Sequence, residues 1–521
     1  MREGVATAVR ALLAELAADD WGQVATSYYD TARLVALAPW LEGHAQRVAH
    51  LLATQRPDGA WGGPDGYALV PTLSAVTALL AESRRVGGDR LLPAVRSGLA
   101  AARRWLDPAR PIEPPDTVGV EVGLPALVEE LRARLTDSPA AATLPPLPPT
   151  AVDTAPLVAM RRRAASGTLS PRAWACLEVL GAEAVAARWV RPAMGAVGCS
   201  PAATAAWAGG PLGDRGAVDF LHRLQRRGGG PVPAVTPITY FEPAWVLNSL
   251  AVGGLTVPVP GALLDRLEAG VTEQGAPAAP GLPADADDTA AVLAALHRHG
   301  RPRRPDVLLD YRTDGHFACF LDERNPSVSA NAHVLETLAL WLAARPEERG
   351  RFGGPAATAA RWLLAQQGDD GAWWDKWHAS PYYATACCAL ALLTYGREEL
   401  ASVGPAVGRA VDWLRATQRP DGSWGRWRGT AEETAYAVLT LAVAAPRLAA
   451  VEIRRGCAAL ADPSEPDETS SNPGDGRDPG DPPAATDPPL WHAKDLYTPV
   501  AVVRAARLAA LAAGRAATGT D

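Results

Sequence analysis

The chain has 521 residues, 48 glycines, 47 prolines and a net charge of −7. A chain of this length exceeds a single ordinary hydrophobic core, so it predicts two or more domains. It carries no block of basic residues and no nucleic-acid motif, which argues against nucleic acid as a partner.

The amino-terminal segment contains the acidic residues Glu15, Asp19 and Asp20, unlike a secretory signal. No uninterrupted apolar run reaches the roughly 18 residues that a membrane span needs. We therefore expect a cytoplasmic protein without stable membrane insertion.

A seven-residue element, Gln-x-x-Asp-Gly-x-Trp, recurs along the chain. It covers residues 55–61, 367–373 and 418–424, with a weaker copy at 311–317. Each full copy follows a helical pattern, and an Asp-Gly turn between helical segments is typical of stacked helical hairpins. The glutamine amide can bond to the open backbone of a helix end while the Trp ring packs across it. Together with the helical periodicity of the long segments, the repeats predict an all-α fold, and we expect them to stabilise its core.

Proline and glycine interrupt this pattern at residues 107–116, 138–156 and 228–233. They cluster again at 255–280, where we expect a boundary between two helical domains. Residues 461–489 lack large apolar side chains and predict a mobile surface loop. A last amphipathic helix, at about 497–513, is expected to return to the fold.

Three carboxylates lie within four residues in the segment Asp285-Ala286-Asp287-Asp288-Thr289-Ala290. They open an apolar helix that is expected to stop at Gly300. A helix N-terminus favours anions, but like charges this close cannot all ionise cheaply, so one acid keeps its proton. The residues alone leave open an acidic helix cap or a divalent-cation loop.

Two residue types are used unusually. The six cysteines show no Cys-x-x-Cys pair and no histidine at zinc-site spacing, which predicts reduced and mostly buried thiols. Only two of the 50 basic residues are lysines, Lys376 and Lys494, and each lies in a Trp-containing polar segment. A compact ammonium differs from the planar fork of arginine, so both lysines are candidates for an anion contact.

The Asp-x-Asp-Asp-Thr-Ala motif and the Trp repeats together resemble class II terpene cyclases, the protonation-initiated group that includes squalene–hopene cyclases and copalyl diphosphate synthases. Further segments resemble the prenyl-diphosphate branch of that group and follow one another over nearly the whole chain. They cover residues 27–32, 118–127, 200–205, 241–245, 323–327, 375–383 and 491–499.

The resemblance implies a didomain of two (α/α) barrels, called β and γ, with the active cavity between them. Residues 1–22 would form the first helix of the β domain, 23–258 the inserted γ barrel, and 259–521 the rest of the β domain with the acidic motif.

The resemblance also implies that Asp287 is the general acid and that Asp285 and Asp288 orient it. An unactivated alkene is a very weak base, which calls for a neutral carboxylic acid in a dry pocket. Aromatic faces stabilise the carbocation that follows. Candidates for the cavity wall are Trp245, Trp373 and Tyr382.

For the diphosphate, the resemblance implies Mg²⁺ held by acids before or within the Gly-Val-Glu stretch. The candidate ligands are Glu113, Asp116 and Glu121, since oxygen ligands suit a magnesium ion that bridges phosphates. A solvated acidic loop is the alternative for Glu113 and Asp116. Lys376 and Lys494 are candidates for direct contact with diphosphate oxygens. The chain lacks an Asp-Asp-x-x-Asp motif, so the diphosphate is expected to survive in the product.

These observations predict an isomerase that converts geranylgeranyl diphosphate into a bicyclic, copalyl-like diphosphate, acting as a monomer or homodimer. One alternative cyclises farnesyl diphosphate to a drimenyl product. Another is a non-catalytic helical-repeat scaffold or a protein-prenyltransferase-like subunit, although the zinc set of the latter is absent from the sequence. The base that takes the final proton is not identified by any motif.

Overall fold

The computed structural model describes residues 2–87, 89–107, 109, 114–137, 143–148, 152–396, 399–461 and 487–519. Most of the predicted loop at 461–489 lies outside these ranges. Within them the chain is helical apart from one short hairpin, which confirms the all-α prediction. The helices are α1 Arg2–Ala18, α2 Tyr28–Leu37, α3 His44–Ala53, α4 Leu69–Val86, α5 Leu92–Trp105, α6 Val120–Thr136, α7 Ala155–Ala165, α8 Pro201–Ala208, α9 Arg215–Gly228, α10 Phe241–Val252, α11 Gly261–Gly270, α12 Ala286–Arg298, α13 Val328–Ala344, α14 Arg349–Ala365, α15 Pro381–Tyr395, α16 Val403–Ala416, α17 Ala431–Ala444, α18 Ala450–Ala461 and α19 Val500–Thr518. The 3₁₀ segments are Asp65–Ala68, Pro171–Ala186, Pro305–Tyr311 and Pro346–Glu348.

Six helices close a ring in which each packs against the next, in the order α10, α12, α13, α15, α17 and α19. An outer element separates each pair of consecutive ring helices along the chain: α11, the 3₁₀ segment at Pro305–Tyr311, α14, α16 and α18. Because each outer element returns the chain to its starting end, the ring helices run parallel and all begin at one end of the barrel. That end carries the acidic motif.

A second, smaller ring is formed by α2, α4, α6, the 3₁₀ segment Pro171–Ala186 and α8. Helix α1 packs against α11 and α19 of the first ring. The (α/α)-barrel architecture is therefore as expected, and the exact domain boundaries stay a prediction.

The Trp repeats share one set of hydrogen bonds. The indole N–H groups of Trp61, Trp373 and Trp424 each donate to a leucine carbonyl at 2.7 Å. Each repeat glutamine donates to the glycine carbonyl of its own turn and to a carbonyl of the next outer helix, at 2.8–2.9 Å. The repeats thus clamp successive helical pairs, and the three indoles are fully buried.

The hairpin connects the two rings. Strands β1 Trp491–His492 and β2 Leu496–Tyr497 pair antiparallel, with Trp491 opposite Tyr497. Both side chains join the core of the six-helix ring, while Lys494 and Asp495 at the hairpin tip reach the smaller ring. The last helix then begins at Val500, near the predicted position. No helix of the described ranges has the length and hydropathy needed to cross a membrane.

Candidate active site

Asp285 caps helix α12, and this sets the direction of the other two acids. Its carboxylate accepts the backbone N–H of Asp288 at 2.8 Å, as an N-cap aspartate does. Asp285 and Asp288 are buried. Asp287 keeps 13% of its side-chain surface, because successive helical residues point about 100° apart. Of the three acids, Asp287 is the least buried.

Burial favours the protonated forms of the inner pair. Burial, together with the negative charge of Asp287, raises the pKa of Asp285 to about 7, against the lowering effect of its hydrogen bond with Asp288. Burial also raises the pKa of Asp288 well above its usual range, and the charge of Asp285 adds to this. Oδ1 of Asp288 is buried and has no hydrogen-bond partner among the described residues. Burial thus raises the pKa values of the two acids behind Asp287, and the prediction that one acid of the motif keeps its proton stays a prediction.

A histidine from α13 completes the acid. Nδ1 of His333 lies 2.6 Å from Oδ1 of Asp287. Burial by itself would lower the pKa of His333, but the charge of Asp287 and their hydrogen bond outweigh burial and raise it well above its usual range. Sequence reasoning missed His333, and the one available signal was a histidine on a mostly apolar helix.

This arrangement is suited to donating a proton. The ring N–H of His333 at one oxygen of Asp287 leaves the second oxygen available to a substrate. Because the raised pKa of His333 depends on an ionised Asp287, the cationic histidine is matched to the carboxylate that remains once Asp287 has given up its proton. Because burial favours the neutral forms of Asp285 and Asp288, they repel the new carboxylate less than two ionised acids would. The three acids and His333 thus form one proton-donating group.

Aromatic rings extend from this group across the barrel end. We define the aromatic wall as Phe241, Trp245, His378, Tyr383, Tyr436 and Trp491. Its rings are linked by centroid distances of 4.2–6.4 Å. Trp245 meets His333 edge-on at 5.3 Å and donates its indole N–H to the hydroxyl of Tyr383 at 2.9 Å. The wall offers π density to a cation formed at Asp287.

The structure separates the three aromatic candidates. Trp245 lies beside the acid. Tyr382 instead packs on Trp413 at 4.7 Å, and Tyr383, one residue further along α15, takes the place on the wall. Trp373 is fully buried within its repeat and has no surface to offer a cavity. Periodicity marked these residues as buried but did not specify which helical face met the acid.

The two lysines differ in their surroundings. Nζ of Lys376 lies 2.5 Å from Oε2 of Glu323 and from the carbonyl oxygen of Asn325, and 15% of its side chain is exposed. Lys494 is buried, and its ammonium donates to Asp30 at 3.2 Å, Glu178 at 2.8 Å and Ser200 at 2.7 Å.

An ammonium has three N–H groups, so these three contacts use every donor of Lys494. As it stands, Lys494 holds the hairpin tip in the smaller ring and has no donor left for a diphosphate. Its expected diphosphate contact would require this network to break, whereas Lys376 lies nearer to solvent.

The predicted metal ligands converge on a guanidinium. Asp116 lies 3.1 Å from Nη2 of Arg324 and accepts the amide N–H of Asn325 at 3.0 Å. Glu121 lies 3.8 Å from the same nitrogen. Glu113 falls outside the described residues, and within them no group of three or more His, Cys, Asp or Glu side chains could hold a metal. Both acids thus face a cation already, and their role as magnesium ligands stays a prediction.

Comparisons with known proteins agree with this geometry. Residues 316–474 match the family model of the squalene–hopene cyclase C-terminal domain. The chain is 45% identical to an ent-copalyl diphosphate synthase of Streptomyces sp. (strain KO-3988), covering 97% of this chain and 95% of that one. It is 40% identical to a labda-7,13-dienyl diphosphate synthase of Streptomyces clavuligerus, covering 98% and 93%. The solved structure of an ent-copalyl diphosphate synthase from Streptomyces platensis superposes with a TM-score of 0.87 at 48% identity, covering 98% and 99%.

Proposed function

This chain belongs to the class II diterpene cyclases, and we propose that it cyclises geranylgeranyl diphosphate to a bicyclic labdane-type diphosphate with the diphosphate retained. The observation that carries the proposal is the 2.6 Å contact between His333 and Asp287 at the edge of the aromatic wall. The names of the two relatives, an ent-copalyl and a labda-7,13-dienyl diphosphate synthase, support a product of this class. They differ in the diphosphate they name, so we leave the double-bond position of the product open.

The reaction begins with proton transfer from the cavity-facing oxygen of Asp287 to the terminal alkene. The electron pair of that alkene forms the new C–H bond and leaves a tertiary cation. Two further alkenes then attack in turn, each closing one ring and moving the cation onward. The faces of Trp245, Tyr383 and Trp491 stabilise the charge and exclude water. Loss of a proton from a neighbouring carbon ends the sequence, so substrate and product are isomers.

The diphosphate is proposed to bind on the rim where Asp116, Glu121, Arg324 and Lys376 lie. Asp116 and Glu121 would hold Mg²⁺, which neutralises charge on the diphosphate when bound. Arg324 and Lys376 suit direct contact with phosphate oxygens, because charge-assisted bonds of this kind are short and strong. Arg324 and Lys376 are each paired with a carboxylate in this structure. When the substrate binds, these ion pairs would be replaced by contacts with the diphosphate or the metal.

The test is to incubate the purified protein with Mg²⁺ and either geranylgeranyl or farnesyl diphosphate, dephosphorylate the products and identify the alcohols by mass spectrometry. We expect a bicyclic C20 alcohol from the wild type and none from Asp287→Asn, an isosteric variant that cannot donate the proton. Turnover of farnesyl diphosphate alone would overturn the substrate, and full activity of Asp287→Asn would overturn the mechanism. No cyclised product from either diphosphate would favour the scaffold alternative.

A further inference from the structure

We propose that the hydroxyl of Tyr436, backed by the carboxylate of Glu432, accepts the proton whose loss ends the cyclisation. This inference rests on the proposed function, because it concerns the last step of that reaction. It supplies the residue for which no sequence motif was found.

Glu432 and Tyr436 lie at the active end of the barrel. Helix α17 begins at Ala431, so both residues fall within its first two turns, at the end where α12 presents Asp287 and α13 presents His333. Their spacing of four residues places them one above the other on one helical face. The ring of Tyr436 meets Tyr383 edge-on at 5.2 Å and lies 6.4 Å from His378. Tyr436 is therefore part of the same wall that meets the acid.

The hydroxyl of Tyr436 is only weakly bonded. It is buried and makes no hydrogen bond of standard geometry among the described residues, although a side-chain hydrogen bond to Glu432 contributes to its raised pKa. Buried tyrosine hydroxyls are normally bonded in good geometry, so a weakly bonded hydroxyl beside a carboxylate in the aromatic wall is suited to relaying a proton. Burial raises the pKa of Tyr436 well above its usual range, and the negative charge of Glu432 raises it further. The group therefore stays a neutral hydroxyl that can receive one proton and pass on another.

Glu432 is held in place from the other side. Its Oε1 accepts the indole N–H of Trp491 at 2.7 Å and lies 3.2 Å from Nε2 of His378. The backbone N–H of Ser380 donates to Nδ1 of His378 at 3.0 Å, which places the histidine proton on Nε2, toward Glu432. Both bonds end on Oε1. Oε2 is thus available to the hydroxyl one turn along the helix.

Neighbouring carboxyl groups are less suited to this role. Glu433 accepts from Ser380 at 2.6 Å, Thr430 at 2.8 Å and the backbone of Arg426 at 2.8 Å, so it is saturated by structural contacts. Burial raises the pKa of Glu242 to about 8. That acid holds its own proton at neutral pH and cannot accept another.

The step balances as follows. A C–H bond next to the final cationic carbon breaks, and its electron pair forms the new C=C bond. The proton bonds to Oη of Tyr436 while the hydroxyl proton of Tyr436 moves to Oε2 of Glu432. The tyrosine ends unchanged, Glu432 becomes a neutral acid, and the cation becomes an alkene. No oxidant, reductant or second substrate is required.

The test compares Tyr436→Phe and Glu432→Gln with the wild type and with Tyr382→Phe, a matched control. Tyr382 is also a buried tyrosine at this end of the barrel, but it packs on Trp413 instead of joining the wall. Each folded variant is incubated with geranylgeranyl diphosphate and Mg²⁺, and the dephosphorylated products are quantified.

We expect both test variants to cyclise the substrate but to release mainly hydroxylated or isomeric bicyclic products, whereas Tyr382→Phe keeps the wild-type ratio. Wild-type ratios in both test variants would overturn the proposal, even if their turnover falls, because a merely structural role lowers rate without redirecting the final step. If the wild type forms no bicyclic diphosphate, the proposed function fails. If the wild type cyclises the substrate and the variants give unchanged product ratios, this inference is refuted and the proposed function stands.

Discussion

Nδ1 of His333 lies 2.6 Å from Oδ1 of Asp287, although 46 residues separate them in the chain. The contact joins two adjacent helices of the six-helix ring, α12 and α13. It makes the acid depend on a residue outside its own motif.

Replacing His333 with Gln is expected to lower kcat on the order of 100-fold, because the amide cannot carry the positive charge that stabilises the Asp287 carboxylate. Steady-state kinetics with geranylgeranyl diphosphate measure the effect. His316, which stacks on Trp362 away from the acid, provides the control: His316→Gln is expected to keep wild-type kcat. Equal losses in the two variants would contradict the role of His333.

Removing the charge of Lys494 is expected to destabilise the fold. Lys494→Met leaves Asp30 and Glu178 buried without their cation, which typically costs about 3–5 kcal/mol. Chemical denaturation measures the free energy of unfolding. Arg349→Met is the control, because Arg349 pairs with Glu399 at the surface and exposed ion pairs contribute little to stability. A stable Lys494→Met protein with a raised KM would instead support the diphosphate contact predicted from sequence.

Adjacent tryptophans allow a matched test of the repeats. Trp373 is fully buried and bonded to Leu363, whereas Trp374 is 51% exposed. We expect Trp373→Ala to lower the free energy of unfolding by about 3–5 kcal/mol. Trp374→Ala is expected to change it by only about 0.5 kcal/mol. A similar loss in both variants would show that the repeat clamp is not what stabilises this part of the barrel.

The buried carboxyl of Asp30 is expected to make stability depend on pH. Burial raises the pKa of Asp30 to about 7 in the folded protein, although the charge of Lys494 partly opposes this. The unfolded pKa lies near 3.9, so the folded state binds the proton more tightly. This contribution is complete below the unfolded pKa and is lost as pH rises through about 7.

Thermal melts between about pH 4 and pH 8 measure this loss as a fall in Tm that levels off above the folded pKa of about 7. Asp30→Asn, whose amide oxygen can still accept the N–H of Ala202, is expected to flatten the fall. An unchanged slope in that variant would assign the pH dependence to other groups, such as Asp285, whose pKa burial also raises to about 7.

Interactions between residues close together in sequence determined much of this protein's fold. The Asp-Gly turns, helical periodicity and N-cap at Asp285 depend on neighbours in sequence, so the all-α fold, the Trp clamps and the acidic helix start follow from the chain itself. The segments that resemble class II terpene cyclases follow one another over nearly the whole chain, and they also identified the family from sequence. Only the tertiary structure decided the partners that lie far apart in sequence, since barrel closure brings them together. It placed His333 against Asp287, put Tyr383 and not Tyr382 in the aromatic wall, held Lys494 in a buried ion pair and placed Tyr436 of the aromatic wall beside Glu432.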